Sequence, residues 1–137
     1  VFATSRRFPL ADEVIVSWPA PLFESHGATL SGRDAVCVLT HDARFDIPAI
    51  VGALATDVGY IGVMGSRTTH EKRLARLHEA GITDPADLAR LWSPIGLDLG
   101  ARTPEETAVS ICAEIIAART GRTANVGTLR DASGPIH

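Results

Sequence analysis

Few of the residues that declare a reaction are present in this sequence. It has two cysteines, Cys37 and Cys112, no Cys-x-x-Cys pair and no two histidines at ligand spacing, so a zinc site is not expected. No Gly-x-Gly-x-x-Gly occurs, which removes the usual dinucleotide fingerprint. No Gly-x-Ser-x-Gly occurs either, so there is no nucleophile elbow. Apolar runs fall short of the roughly 18 residues of a membrane span. Val1 opens a polar stretch holding Arg6 and Arg7, which does not read as a signal peptide. The formal net charge of -3 gives no basic excess for a nucleic-acid partner. No membrane partner is expected, and the cytoplasm is the default compartment.

What is present fits one globular domain. The 137 residues are 45% hydrophobic and 21% charged, which excludes a disordered or collagen-like chain. Short apolar runs alternate with helical periodicity. Val14–Val16 is a β-branched run that stops at Trp18-Pro19. Ala35–Thr40 and Tyr60–Met64 are apolar throughout, as expected of parallel strands covered on both faces.

The helical segments carry their own punctuation. Ile47, Ile50, Val51 and Leu54 recur at helical spacing, and so do Leu74 and Leu77 ahead of a capping Gly81. Asp84-Pro85 opens a short helix expected to carry Leu88, Leu91 and Trp92. Thr103-Pro104-Glu105-Glu106 is a capping box, and the helix behind it is expected to bury Val109, Cys112, Ile115 and Ile116 before Gly121. Ile95–Leu99 reads as a fourth strand or a glycine-rich loop. The whole is α/β: a doubly wound, Rossmann-like parallel sheet over residues 1–121, with 122–137 as a tail.

In such sheets ligands bind beyond the carboxyl ends of the strands. Three segments lie there: Thr40-His41-Asp42, Gly65-Ser66-Arg67-Thr68, and Gly96 to Arg102 with Asp98 and Gly100 between. Gly65 would let a ligand approach the backbone, and the following helix start offers free amides to an anion. Ser66 adds a hydroxyl and Arg67 a planar cation. The plainer alternative is a tight turn in which Thr68 caps the helix. His41-Asp42 reads as an acid–base pair or as a turn whose aspartate caps the next helix. Cys37 and Cys112 read as buried thiols, Arg73 and Arg76 as a solvated helix face, and His26, His70, His78 and His137 as surface or tail residues.

Thr40-His41-Asp42, Tyr60-Ile61-Gly62-Val63-Met64-Gly65-Ser66-Arg67 and the stretch from Pro94 to Glu106, in this order, resemble the C-terminal Rossmann-like domain of the XdhC/CoxI family, accessory proteins of xanthine dehydrogenase and related molybdenum hydroxylases. The likeness runs over roughly residues 8–120. Its most specific stretch is Pro94-Ile95-Gly96-Leu97-Asp98-Leu99-Gly100-Ala101-Arg102-Thr103-Pro104-Glu105-Glu106.

The resemblance implies a chaperone without turnover that binds the molybdenum cofactor, as a pyranopterin phosphate or its cytosine dinucleotide, and passes it to the apoenzyme. Thr40, His41, Asp42, Gly65, Ser66, Arg67, Thr68, Gly96, Asp98, Gly100 and Arg102 would line its site. A molybdenum hydroxylase apoenzyme, a cysteine desulfurase and a second copy of the chain are the implied partners. The family's domain opens with a strand, a glycine turn and a helix that this sequence does not show. An accompanying polypeptide is therefore expected to supply them. The competing expectation is an NAD(P)-dependent oxidoreductase, for which neither the glycine loop nor a ribose-binding acid is visible.

Overall fold

The apolar runs become adjacent parallel strands. In the computed structural model, which describes residues 3–127 and 130, strand β1 is Ala35–Val38, β2 is Tyr60–Val63 and β3 is Leu91–Trp92. They form one parallel sheet in the order β1-β2-β3, with Val36 opposite Ile61 and Gly62 opposite Trp92. Helix α1 (Pro19–His26) precedes β1. Helices α2 (Ala43–Leu54) and α3 (Arg67–Glu79) follow β1 and β2. A short α4 (Pro85–Leu88) leads into β3, and α5 (Pro104–Arg119) comes after it, followed by a 3-10 turn at Thr123–Asn125.

All four residues of β2 are buried, because alternate side chains face opposite sides of a strand that is covered on both. Ile61 and Val63 join Val38, Ile50, Ala53, Leu54, Val58 and Leu77 in the core. Tyr60 faces the other way, towards α5, where its hydroxyl donates to Glu114 at 2.6 Å. A side chain added at Gly62 would run into Ile95, so this face has no room beneath the loop after β3. The core side of the sheet is closed by α2 and α3. Arg90 locks the end of α2 by donating to the carbonyls of Leu54, Thr56 and Val58 at 2.8–3.2 Å.

Several sequence expectations change here. Val14–Val16 is not a strand: it runs without a pairing neighbour among the described residues, and Val16 is 72% exposed. A strand needs a ladder to satisfy its backbone, and the segment is held instead by Trp18 stacking on Phe45 at 4.6 Å. The helix from Pro85 stops at Leu88, and Leu91-Trp92 extends into β3, because pairing with Ile61 and Gly62 takes up its backbone. Ile95–Leu99 is a loop.

The thiols are not buried either. Cys37 and Cys112 are both exposed, as are Val109 and Ile116. Helix α5 is turned so that Ser110, Ile111, Glu114 and Ala117 face inward. The reason is polar: Ser110 donates to the Leu97 carbonyl at 2.6 Å, and Glu114 accepts from Tyr60 and Gly96.

Three of the caps behave as read. Asp84 accepts from the Ala86 amide, Thr103 and Glu106 form the capping box, and Gly81 takes a φ of +92°. No helix among the described residues is long and apolar enough to cross a membrane. Val1, His137 and the tail beyond Gly127, apart from Arg130, lie outside the described residues.

Candidate functional site

The exits of β1 and β2 lie side by side. The Met64 amide donates to the Val38 carbonyl at 2.9 Å, so Thr40-His41-Asp42 and Gly65–Thr68 leave the sheet as neighbours. The third segment is stitched beside β2, because the Ile95 amide donates to the Val63 carbonyl at 3.1 Å. The parallel topology thus brings the three sequence motifs to one end of the sheet.

Their side chains have unequal freedom. The Thr40 hydroxyl donates to the Asp46 carboxylate, which fixes it. Asp42 caps α2 by accepting from the Arg44 amide at 3.0 Å, and it also pairs with the Arg44 guanidinium at 2.6 Å. The Arg44 side-chain hydrogen bond, aided by the backbone one, holds the Asp42 carboxyl down at about 2. The His41–Asp42 step is therefore a helix cap whose carboxylate is occupied by Arg44, and the imidazole beside it makes no hydrogen bond among the described residues.

Gly65 has a φ of +142°, which favours glycine, and the space a Cβ would fill is 3.3 Å from Arg73 Nη2. The α3 cap is Ser66, where the sequence suggested Thr68. Its Oγ accepts from the Thr69 amide at 3.1 Å and is hydrogen-bonded to the Thr69 hydroxyl at 2.9 Å. Arg67 and Thr68 are exposed at the first turn of the helix, and Arg67 makes no ion pair among the described residues.

Gly96 takes a φ of +100°, and a Cβ there would lie 2.5 Å from Ser110 Oγ. Its amide donates to Glu114 at 2.9 Å, which anchors the loop on α5. Asp98, Gly100 and Arg102 lie further along this loop, and all three are exposed. Gly100 borders a separate depression of about 210 Å³ with Leu99, Ala101, Glu106 and Val109. No hydrogen bond or ion pair among the described residues joins Asp98 or Arg102 to the other two motifs. The Arg102 amide is engaged by Glu106 at 2.7 Å.

The residue that organises this end is one that helical periodicity places on the wrong face. Arg73 is 4% exposed, and the helix face expected to be solvated is turned inward at that position. Its guanidinium pairs with buried Asp46 at 3.0 Å and donates to the Met64 carbonyl at 2.8 Å and to Ser93 at 3.3 Å. One side chain thereby ties α2, the β2 exit and the turn after β3. The only sequence sign was Asp46 inside an otherwise apolar helical stripe, a buried acid in need of a partner. Arg76, one turn on, is exposed as expected.

The same fold recurs in a known structure, and the sequence matches a known family. The model for the XdhC Rossmann domain matches residues 1–115. The chain belongs to the XdhC family. A relative from Bacillus subtilis (strain 168), named as a probable subunit of xanthine dehydrogenase, is 33% identical over 118 residues, covering 86% of this chain and 33% of that protein. The molybdenum cofactor insertion chaperone PaoD of Escherichia coli (strain K12) is 32% identical over 95 residues, 69% of this chain and 30% of PaoD. A crystal structure described as a xanthine dehydrogenase from Bacillus halodurans superposes with a TM-score of 0.70 at 30% identity, over 90% of this chain and 34% of that one. This XdhC Rossmann domain spans about a third of each of these relatives. The α/β, Rossmann-like reading of the sequence therefore stands, now as membership of a family.

Proposed function

We propose that this XdhC domain takes part in binding the molybdenum cofactor and delivering it to a molybdenum hydroxylase apoenzyme. The observation that supports this best is the likeness to PaoD, named as a molybdenum cofactor insertion chaperone. The residues at the strand exits suit a phosphate-bearing pterin. The start of α3 offers its first amides and the positive end of its dipole, and Arg67, which makes no ion pair among the described residues, is a cation beside them. The cofactor's molybdenum chemistry stays its own; this chain would bind, orient and release it without turnover.

Arg67→Ala is expected to weaken pyranopterin phosphate binding by roughly tenfold to a hundredfold, the equivalent of about 1.5–3 kcal/mol for a charge-assisted bond. The melting temperature should barely move, because an exposed first-turn arginine supports little packing. Arg119→Ala, at the far end of α5, is the control. Calorimetric titration with the pyranopterin phosphate, and separately with NADPH, checks both readings. Binding of NADPH in place of the pterin would favour the oxidoreductase alternative. Unchanged pterin affinity in Arg67→Ala would remove that residue from the site.

A second part of the proposal concerns the free side of β1. That strand pairs with β2 alone among the described residues, and Cys37, Leu39, Val109, Cys112 and Ile116 leave apolar surface exposed around it. The Cys37 thiol is pushed up, first by the burial it does have and then by Cys112 nearby. We place the family's opening strand–turn–helix on this edge, as further polypeptide of the same protein, since an uncovered parallel edge invites pairing. In the assembled protein both thiols should be alkylated at least tenfold more slowly than in denatured protein. Free-thiol rates for both cysteines in the assembled protein would defeat this part.

A further inference from the structure

Helix α3 carries a charge pattern that its own stability does not explain. Lys72 and Arg76 sit four residues apart, so they share one face of the helix, where like charges repel. Neither makes an ion pair among the described residues, although Glu71 and Glu79 lie on the same helix. Both line a cavity of about 150 Å³ between α2 and α3, together with His41, Thr69 and the Arg73–Asp46 pair. The cavity opens towards the strand exits: His41 follows the β1 exit, and the Thr69 hydroxyl is hydrogen-bonded to Ser66 at the α3 cap.

The charges in this cavity do not balance. Asp46 is its one acid, and Asp46 is committed to Arg73 at 3.0 Å. Lys72 and Arg76 remain unanswered, with His41 lining the same space. A local rule broken without structural compensation points to function. The volume suits a phosphate group with some of its water. A dianion meets two cations, where a carboxylate would leave one unanswered, and the planar fork of Arg76 suits phosphate oxygens.

We infer that the α2–α3 groove binds a phosphate group through Lys72 and Arg76, with His41 and Thr69 at its mouth. Where this ligand is the pterin phosphate of the proposed function, the inference deepens that reading; as a phosphate site it stands on the groove alone. The site differs from the α3 amides in position, since Lys72 and Arg76 lie about one and a half and two and a half turns along the helix.

The probe is inorganic pyrophosphate, titrated into the protein at matched ionic strength and followed by backbone amide shifts. The amides of residues 69–76 and His41 should move together. Lys72→Gln/Arg76→Gln should lower pyrophosphate affinity by tenfold or more, and without pyrophosphate it should melt no lower than the parent, since a repulsive pair is removed. Arg119→Ala, at the far end of α5, should bind pyrophosphate like the parent. Parental pyrophosphate affinity in the double variant, or a lower melting temperature without pyrophosphate, overturns the inference. If pyrophosphate fills the groove while the pyranopterin phosphate does not bind at all, the groove stands and the delivery reading falls. If the pterin binds and the double variant holds both it and pyrophosphate as the parent does, the groove falls and the delivery reading stands.

Discussion

Asp46→Ala is expected to destabilise the domain by about 3–5 kcal/mol, the cost of leaving a buried cation without its partner. Asp46 is 3% exposed, and it holds both Arg73 and the Thr40 hydroxyl. Its removal strands a guanidinium that is itself 4% exposed, with only the Met64 carbonyl and Ser93 left to accept from it. For a domain of this size the melting temperature should fall by roughly 10–20 °C. Replacing both members with apolar residues of similar volume, Asp46→Leu with Arg73→Met, should recover most of the loss, because no charge is then left buried. Urea denaturation of the parent, the single variant and the double variant provides the test. A loss under about 1 kcal/mol in Asp46→Ala would mean that Arg73 finds water or another acceptor.

The second large effect is expected at Glu114. This side chain, 7% exposed, accepts from the Tyr60 hydroxyl at 2.6 Å and the Gly96 amide at 2.9 Å. Burial, and then the hydrogen bond to Glu114, keep the Tyr60 phenol protonated well above its ordinary range. Glu114→Ala orphans two donors at once and should cost about 2–4 kcal/mol, whereas Glu114→Gln, which keeps an acceptor, should cost about half as much or less. The Gly96 amide should also exchange with solvent much faster in Glu114→Ala, since its acceptor is gone. Chemical denaturation and amide exchange check the two halves separately. Slow exchange at Gly96 in the alanine variant would show that the loop is held by Ser110 and the Ile95 amide alone.

Asp46 and Glu114 also mark the limit of what periodicity can reveal. Asp46 stands in an apolar helix, and Glu114 on a helix whose Val109, Cys112 and Ile116 have the spacing of a buried stripe. Periodicity reports that a helix has two faces, and a buried acid on the wrong face breaks the pattern without naming its partner. Arg73 pairs with Asp46 across 27 residues of sequence, and Tyr60 with Glu114 across 54. No local signal spans such separations. Ser66 replaced Thr68 as the α3 cap for a smaller reason: both are good caps, and the choice was decided by where the strand turned at Gly65.

What the chain determined alone was everything set by short-range chemistry. The apolar runs at 35–38 and 60–63 became parallel strands, the capping box at Thr103 and the proline start at Pro85 placed their helices, and Gly81 ended α3. The three strand-exit motifs and the family likeness were legible for the same reason, since each is a contiguous stretch. The tertiary structure decided which face of each amphipathic element met the core, that Leu91-Trp92 joined the sheet, and that Arg73 turned inward while Lys72 and Arg76 were left around a cavity. Those outcomes depend on satisfying buried polar groups from elements distant in sequence, and only the packed chain brings such groups within hydrogen-bonding reach.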